Sequence, residues 1–178
     1  MRELPKAYAW LNDEPGPRIL REALALHGVK EVVGTGSNPL ILGWAKECGL
    51  DDVYRSDATA WCGLFLAVIA KRAGWSVPDS PLWALNWGTF GTKSDQPMLG
   101  DVLTFSRQSG GHVGLYVGED ASHFHVLGGN QGDQVSIVRI ARVRMKAARR
   151  SPWRVKQPDN VRPVTLNATG APVSTNEE

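Results

Sequence analysis

The spacing of apolar residues changes along this chain, from a helical period in the first half to a strand period in the second. The segment "GPRILREALALHGV" places Ile19, Leu20 and Ala23 at helical intervals, whereas "HVGLYVGED" is a short β-rich run that ends in glycine and acidic residues. Because helices come first and strands second, we predict an α+β domain with the helices packed on one face of an antiparallel sheet.

Two further helices are predicted after the first. One begins with Asn38 as N-cap and Pro39 at the first helical position, and it ends at Gly49. The other, "ATAWCGLFLAVIAKRAG", is capped by Asp57 or Thr59 and has an apolar side broad enough for a central helix. The Trp-rich stretch "SPLWALNWG" is expected to form a short fourth helix or a turn.

The second half of the chain predicts an antiparallel meander. Glycine, aspartate and serine separate its strand-like runs, which are "GDVLTFS", "HVGLYVGED", "SHFHVLGG" and "QVSIVRI", with a fifth around "RVRMKA". Residues 1–157 are therefore predicted to form one domain. Residues 158–178 are rich in Pro, Asn and Thr and are predicted to form a disordered tail.

Length, charge and hydropathy limit the classes of function. A chain of 178 residues is about the size of one domain, and a net charge of +2 is too small by itself to imply a polyanionic partner. No apolar stretch has the length of a secretory signal or a membrane span. We therefore expect a soluble monomer that is made in the cytoplasm without a signal peptide, with no membrane insertion and no nucleic-acid partner.

The two cysteines are too few for a disulfide framework and lie in no zinc-binding spacing, so free thiols are expected. Cys48 shares the apolar face of its helix and is predicted to be a buried core thiol. Cys62 stands in the first turn of its helix, where unpaired backbone N–H groups and the helix dipole favour an anion. A thiol in that position is a candidate nucleophile, with a packed core thiol as the alternative.

A cysteine nucleophile commonly uses a histidine as its base, and the sequence holds four. His27 ends the first helix and is expected at the surface or as a C-cap. His123 and His125 alternate on one strand face, where a structural role is expected. His112 opens a strand directly after "SGG", at a sheet edge where its ring can face a helix N-terminus.

Several motifs in order carry a resemblance to a known family. "AWCGLFLAVIAKRAGW", followed by "GDVLTFS", "GHVGLYVGED" and "VLGGNQGDQVSIVRI", resembles the cysteine peptidases and amidases of the NlpC and CHAP type, and most closely the small phage and prophage cell-wall hydrolases. With "EVVGTGSNPLI", the resemblance covers most of residues 15–153. It implies a papain-like α+β fold, in which the nucleophile helix packs on an antiparallel sheet of about five strands.

The resemblance also implies catalytic roles. In that family the cysteine at the helix start is the nucleophile, the histidine of the G-H-V-G motif is the base, and a polar residue on the next strand orients the histidine. Carried over by motif, these roles fall on Cys62, His112 and Asn130 of "GGNQ". His125 is the rival for the third role, and Gly128 departs from the acidic residue that CHAP domains often have there.

Residues around these three are assigned to substrate binding, and no metal or cofactor is implied. Asp57 has the alternative of a charge at a helix N-terminus, and Trp61 that of a core residue. The five assigned residues are Asp57, Trp61, Gly111, Gly129 and Gln131.

The implied reaction is hydrolysis of an amide bond of bacterial peptidoglycan through a thioester, by an amidase or an endopeptidase. A phage or prophage endolysin released through a holin fits best, and a cell-wall-degrading toxin of a contact-dependent secretion system comes second. The alternative from another class is a non-catalytic wall-binding or virion structural module. The basic run "RIARVRMKAARRSPWRVK" suits such a module, and it also suits the exposed face of an edge strand.

Overall fold

The computed structural model of the chain describes residues 3–108, 110–153 and 155–173. Its α-helices are α1 (Arg18–Ala25), α2 (Pro39–Cys48) and α3 (Cys62–Arg72), and 3-10 helices cover Lys6–Asp13, Ala84–Thr89 and Arg142–Arg144. The predicted helices are therefore present, although "SPLWALNWG" contains a 3-10 helix. Among the described residues, no helix is both long enough and apolar enough to cross a membrane.

The ends of α2 follow the local sequence signals. The side chain of Asn38 accepts a hydrogen bond from the backbone N–H of Leu40 at 2.8 Å. Gly49 ends the helix in the left-handed conformation, at φ 69°, where a residue with a Cβ is strained. Both predicted end residues of this helix are confirmed.

The helix α3 begins in the predicted region, but neither Asp57 nor Thr59 caps it. Its N-cap is Trp61, which makes no side-chain capping bond. One carboxylate oxygen of Asp57 instead accepts hydrogen bonds from the backbone N–H groups of Val32 and Asn38, at 2.9 and 2.7 Å. The predicted cap is wrong because this carboxylate fastens the loop before α2 to the segment before α3.

The described residues form one six-stranded sheet in which every pair of neighbouring strands is antiparallel. The predicted meander runs from the strand Val102–Ser106 to the strand Ser136–Ala141, and the last strand, Met145–Arg150, returns to pair with the first of these. This confirms the α+β class and the antiparallel sheet. The strands are β1 (Thr92–Lys93), β2 (Val102–Ser106), β3 (Gly111–Glu119), β4 (His123–Gly128), β5 (Ser136–Ala141) and β6 (Met145–Arg150), in the spatial order β1-β6-β2-β3-β4-β5.

Apolar cores lie on both faces of the sheet. The larger core lies between the sheet and the helices and includes Cys62 and residues 64–70 of α3, which are all buried. Val113 of β3 belongs to this core, whereas Tyr116 of β3 and Phe105 of β2 belong to a smaller core on the other face. Alternate residues of β3 therefore face opposite sides, and His112 is in phase with Tyr116.

Residues 158–173 pack on the domain and do not form the predicted disordered tail. Val164 and Leu166 are buried, and the backbone N–H of Leu166 donates to the carbonyl of Glu119 at 2.8 Å. The indole N–H of Trp10 donates to the carbonyl of Gly170 at 3.4 Å. The few apolar residues of this segment meet partners far away in the sequence, which composition does not show. Residues 174–178 of the predicted tail lie outside the described residues.

Candidate active site

His112 is the second residue of β3, and its side chain is fully buried. Its Nδ1 lies 2.8 Å from Nη2 of Arg107, and its Nε2 lies 2.8 Å from Oε1 of Gln131. A guanidinium group can only donate, so Nδ1 accepts this hydrogen bond and the ring proton lies on Nε2. His112 is therefore neutral, in the Nε2–H tautomer.

The surroundings of the ring also disfavour its protonated form. Burial lowers the pKa of His112 to about 4, and the positive charges of Arg107 and Arg144 lower it as well. The hydrogen bond to Gln131 acts in the opposite direction but is outweighed. At neutral pH the ring is thus an uncharged base whose lone pair lies on Nδ1.

The side-chain amide of Gln131 is held in one orientation. Its nitrogen donates to the backbone carbonyls of Val126, at 3.2 Å, and Ser136. Because both amide hydrogens point at carbonyl oxygens, the amide oxygen is the atom that faces His112. Gln131 therefore fixes the tautomer and the angle of the imidazole ring, which is what an orienting residue does.

The sequence assigned this orienting contact to Asn130, and the structure brings Gln131 to the ring instead. Asn130 has a left-handed backbone, with φ 55°, which breaks the strand alternation after β4. Its side-chain nitrogen faces Oε2 of Glu31 at 3.4 Å. The residue that follows the turn, rather than the turn residue itself, reaches His112.

The rival candidate, His125, lies in a separate buried cluster. Its Nδ1 is 2.7 Å from the hydroxyl of Tyr8, and its Nε2 is 3.0 Å from Oδ2 of Asp120. Although burial raises the pKa of Asp120, hydrogen bonds from the backbone of Ser122 and from Arg139 hold it well below its usual range. These are the contacts of a structural residue, and they join the 3-10 helix Lys6–Asp13 to β4.

Cys62 is the first residue of α3 and is only 3 % exposed. Burial raises the pKa of its thiol, while the backbone N–H of Val113, the charge of Arg107 and the N–H groups at the helix start lower it. The helix start therefore lowers the pKa of the thiol, as expected, but by less than burial raises it. The influence of Val113 indicates that the sulfur lies beside the β3 backbone, at the residue that follows His112.

The nucleophile and the base are not hydrogen-bonded in this conformation. Arg107 and Gln131 occupy the two nitrogens of His112, so the thiol of Cys62 is not a partner of the ring. A cavity of about 830 Å³ opens beside His112, and Cys62 is missing from the described residues that line it. The open space therefore reaches the base without reaching the sulfur.

The structure buries four of the five residues assigned to substrate binding, which are Asp57, Trp61, Gly129 and, beside His112, Gln131. Asp57 and Trp61 are 1 % and 0 % exposed. A Cβ added to Gly129 would lie 2.7 Å from atoms of Phe65 and Trp61, so this glycine lets the turn after β4 approach the start of α3 closely. Asp57, Trp61 and Gly129 are enclosed by protein in this conformation, as Cys62 is, so their contact with a substrate stays a prediction.

A segment of residues 81–85 lies between the start of α3 and the start of β3. A Cβ on Gly63 would lie 2.3 Å from the carbonyl oxygen of Pro81, and one on Gly111 would lie 2.6 Å from the side chain of Leu85. Trp83, in the middle of the segment, is 72 % exposed. Sequence analysis recognised this Trp-rich stretch but gave it no function, although an exposed Trp is a candidate binding residue.

Glu31 is a second residue that sequence analysis missed. Its Oε2 accepts hydrogen bonds from the indole N–H of Trp61, at 2.9 Å, and from Asn130. Glu31 thereby ties the start of α3 to the turn that leads to Gln131. No local pattern could have shown this role, because the three residues are far apart in the sequence.

Comparison with protein-family models finds no match for this chain, and comparison with curated proteins finds none either. Cys48 and Cys62 are free thiols. Within the described residues, no group of three or more His, Cys, Asp or Glu side chains is arranged to hold a metal ion. Function is therefore inferred from the geometry around His112 and from the sequence resemblance.

Proposed function

We propose that the chain is a cysteine-dependent hydrolase that cleaves an amide bond of bacterial peptidoglycan, on a papain-like fold of the NlpC and CHAP type. The observation that carries the proposal is the buried, neutral His112, whose Nε2–H is held by the fixed amide oxygen of Gln131. This arrangement leaves Nδ1 as the acceptor, and the residue that follows His112, Val113, has its backbone N–H beside the sulfur of Cys62. Once Arg107 leaves Nδ1, the ring is a neutral imidazole with a free lone pair, which is what a thiol nucleophile requires of its base.

In the proposed reaction, the Cys62 sulfur bonds to the substrate carbonyl carbon while the thiol proton passes to Nδ1 of His112. The tetrahedral intermediate collapses as the C–N bond breaks, and the proton on Nδ1 goes to the leaving amine. Water then adds to the thioester and gives a proton to Nδ1. Collapse of the second intermediate releases the carboxylic acid, and the proton returns to the sulfur.

The resting pair is a thiol and a neutral imidazole rather than a thiolate and an imidazolium. Burial accounts for this, because it raises the pKa of Cys62 and lowers the pKa of His112. Proton transfer therefore accompanies attack on the substrate. The backbone N–H of Cys62, at the start of α3, supports the negative charge that develops on the carbonyl oxygen.

Substrate binding has to complete the site in two ways. Arg107 must leave Nδ1 of His112, and the Cys62 sulfur must become accessible. Residues 81–85 touch the start of α3 and the start of β3, so we propose that their displacement by a bound substrate opens the sulfur. Trp83 offers this substrate an exposed aromatic surface for a sugar or peptide group.

The proposal is tested by incubating the purified protein with peptidoglycan sacculi and analysing the released fragments by mass spectrometry. Wild type is expected to release fragments with new amino and carboxyl ends, and the masses identify the bond. Cys62→Ala should release none, whereas the matched control Cys48→Ala should behave like wild type. Equal release by wild type and Cys62→Ala would refute the mechanism. The cellular setting that we propose is a phage or prophage endolysin that reaches the wall through a holin, and a contact-dependent toxin is the rival setting.

A non-catalytic wall-binding module is the second candidate function. One observation favours it, because Cys62 is 3 % exposed and does not line the cavity beside His112. Co-sedimentation with sacculi separates the two candidates. Binding without fragment release, unchanged in Cys62→Ala and weakened in Trp83→Ala, would favour the binding module.

A further inference from the structure

Two arginine side chains, each held near the end of β2, line the cavity beside His112. Arg107 directly follows β2, and Arg144 ends the 3-10 helix Arg142–Arg144. The Nε of Arg144 donates to the carbonyl of Ser106 at 3.1 Å, and Ser106 immediately precedes Arg107. Both arginines line the cavity, so two guanidinium groups lie at the same end of β2.

These two positive charges have no counter-charge among the described residues. The third arginine of the cavity, Arg139, is paired with Asp120 at 2.7 Å. Neither Arg107 nor Arg144 forms an ion pair within the described part of the chain, and Glu3 is the one described carboxylate in the lining. Like charges held close together are unfavourable unless an anion lies between them.

The present contact of Arg107 is weaker than the one that an anion would offer. Its guanidinium group donates to an uncharged imidazole nitrogen. A carboxylate would offer two oxygens and a negative charge, which match the fork of a guanidinium group and form a stronger, bidentate pair. A carboxylate in the cavity would therefore compete with His112 for Arg107.

We propose that the cavity binds a carboxylate through Arg107 and Arg144, and that this binding draws Arg107 away from Nδ1 of His112. The ligand class is a peptide or amide that carries a free carboxylate. If the proposed hydrolase function holds, a carboxylate near the scissile amide frees the base at the moment of binding. A neutral amide leaves Arg107 on Nδ1, so the inference adds a substrate requirement to the proposed function.

Binding is tested directly with N-acetylalanine, and N-acetylalaninamide is the matched probe without a charge. In protein labelled with nitrogen-15 at histidine, N-acetylalanine should shift the Nδ1 resonance of His112 in a saturable way, and the amide should not. The resonance is assigned by its loss in His112→Gln.

The arginine variants test which residues hold the probe. Arg107→Gln and Arg144→Gln should each raise the Kd for N-acetylalanine by about tenfold or more, because each removes one charge-assisted contact. Arg55→Gln, at an exposed arginine that is bonded to the carbonyl of Asp52 and is outside the cavity lining, should bind like wild type. Equal shifts with both probes, or an unchanged Kd in both cavity variants, would overturn the proposal.

The failure of this proposal and that of the hydrolase function give different results. If N-acetylalanine binds and shifts the His112 resonance while sacculi stay intact, the carboxylate site stands and the hydrolase function fails. If sacculi are cleaved while the probe neither binds nor shifts the resonance, the hydrolase function stands and the carboxylate site fails. If both hold, Arg107→Gln should lose the preference of wild type for peptides with a free carboxylate over their amides.

Discussion

Lowering the pH should destabilise the folded protein through His112, and replacing this residue should remove that part of the loss. In the fold, burial lowers the pKa of His112 from an ordinary value of 6.5 to about 4. The unfolded chain therefore binds more protons than the folded chain between these two values. The stability that neutral His112 contributes is present above pH 6.5 and is lost as the pH falls towards 4.

The size of the effect follows from the difference between the two pKa values. Each unit of difference corresponds to about 1.4 kcal/mol, so the full loss is about 3 kcal/mol. Between about pH 7.5 and about pH 5, the expected loss is about 2 kcal/mol. His112 is fully buried, so solvent screening does not reduce this figure substantially.

The measurement is urea unfolding of wild type and His112→Gln at both pH values. The pKa of His125 is also lowered by burial, so the wild-type protein loses stability through more than one group. The difference between wild type and His112→Gln isolates the pH-dependent loss of stability that is due to His112. His125→Gln is the control, because it should retain the loss that is due to His112. Arg107→Gln should reduce the loss, because the charge of Arg107 helps to lower the pKa of His112. An identical pH dependence in wild type and His112→Gln would refute the reasoning.

Three further predictions follow from the structure. Gln131→Ala should lower turnover by about tenfold or more, whereas Asn130→Ala should lower turnover much less. The melting temperatures of both variants show whether a loss of turnover is structural. A larger loss of turnover in Asn130→Ala than in Gln131→Ala would restore Asn130 to the orienting role. EDTA should leave turnover intact and thiol oxidants should inhibit it reversibly, because the proposed mechanism uses no Lewis acid; loss in EDTA with recovery in zinc would contradict it. Deleting residues 158–178 should lower the free energy of unfolding by several kcal/mol in urea titrations, because the burial of Val164 and of Leu166 contributes about 2 kcal/mol each. An unchanged free energy of unfolding would show that their packing contributes little.

The parts of the fold that local chemistry determines could be predicted from the sequence. Asn38 and Gly49 bound α2 through contacts within a few residues, and alternation of apolar residues located β2 to β5. The cap of α3 could not be predicted, because the loop before α2 uses the carboxylate of Asp57. Packing of residues 158–173 was missed for a similar reason, since its partners include Trp10 near the other end of the described chain.

The site could be predicted only in part. The motifs singled out Cys62 and His112, but the orienting contact depends on the left-handed backbone of Asn130, which turns the next residue towards the ring. Asparagine tolerates this conformation, yet the sequence does not reveal that it occurs here. The contact of Arg107 with His112 is equally hidden, because it depends on how the chain turns between β2 and β3.

The hydrogen bond from Trp10 to Gly170 joins residues that are 160 positions apart. Gly170 also lies against the ring of Tyr8. During synthesis, Tyr8 and its partner strand, which carries His125, are complete long before Gly170 is added. A nascent chain therefore exposes the apolar surface that residues 158–173 later cover. Contacts between residues so far apart in the sequence form slowly. Until they form, the exposed apolar surface can associate with other chains. Expression of this protein should accordingly be more sensitive to chaperone supply than that of a domain with local contacts.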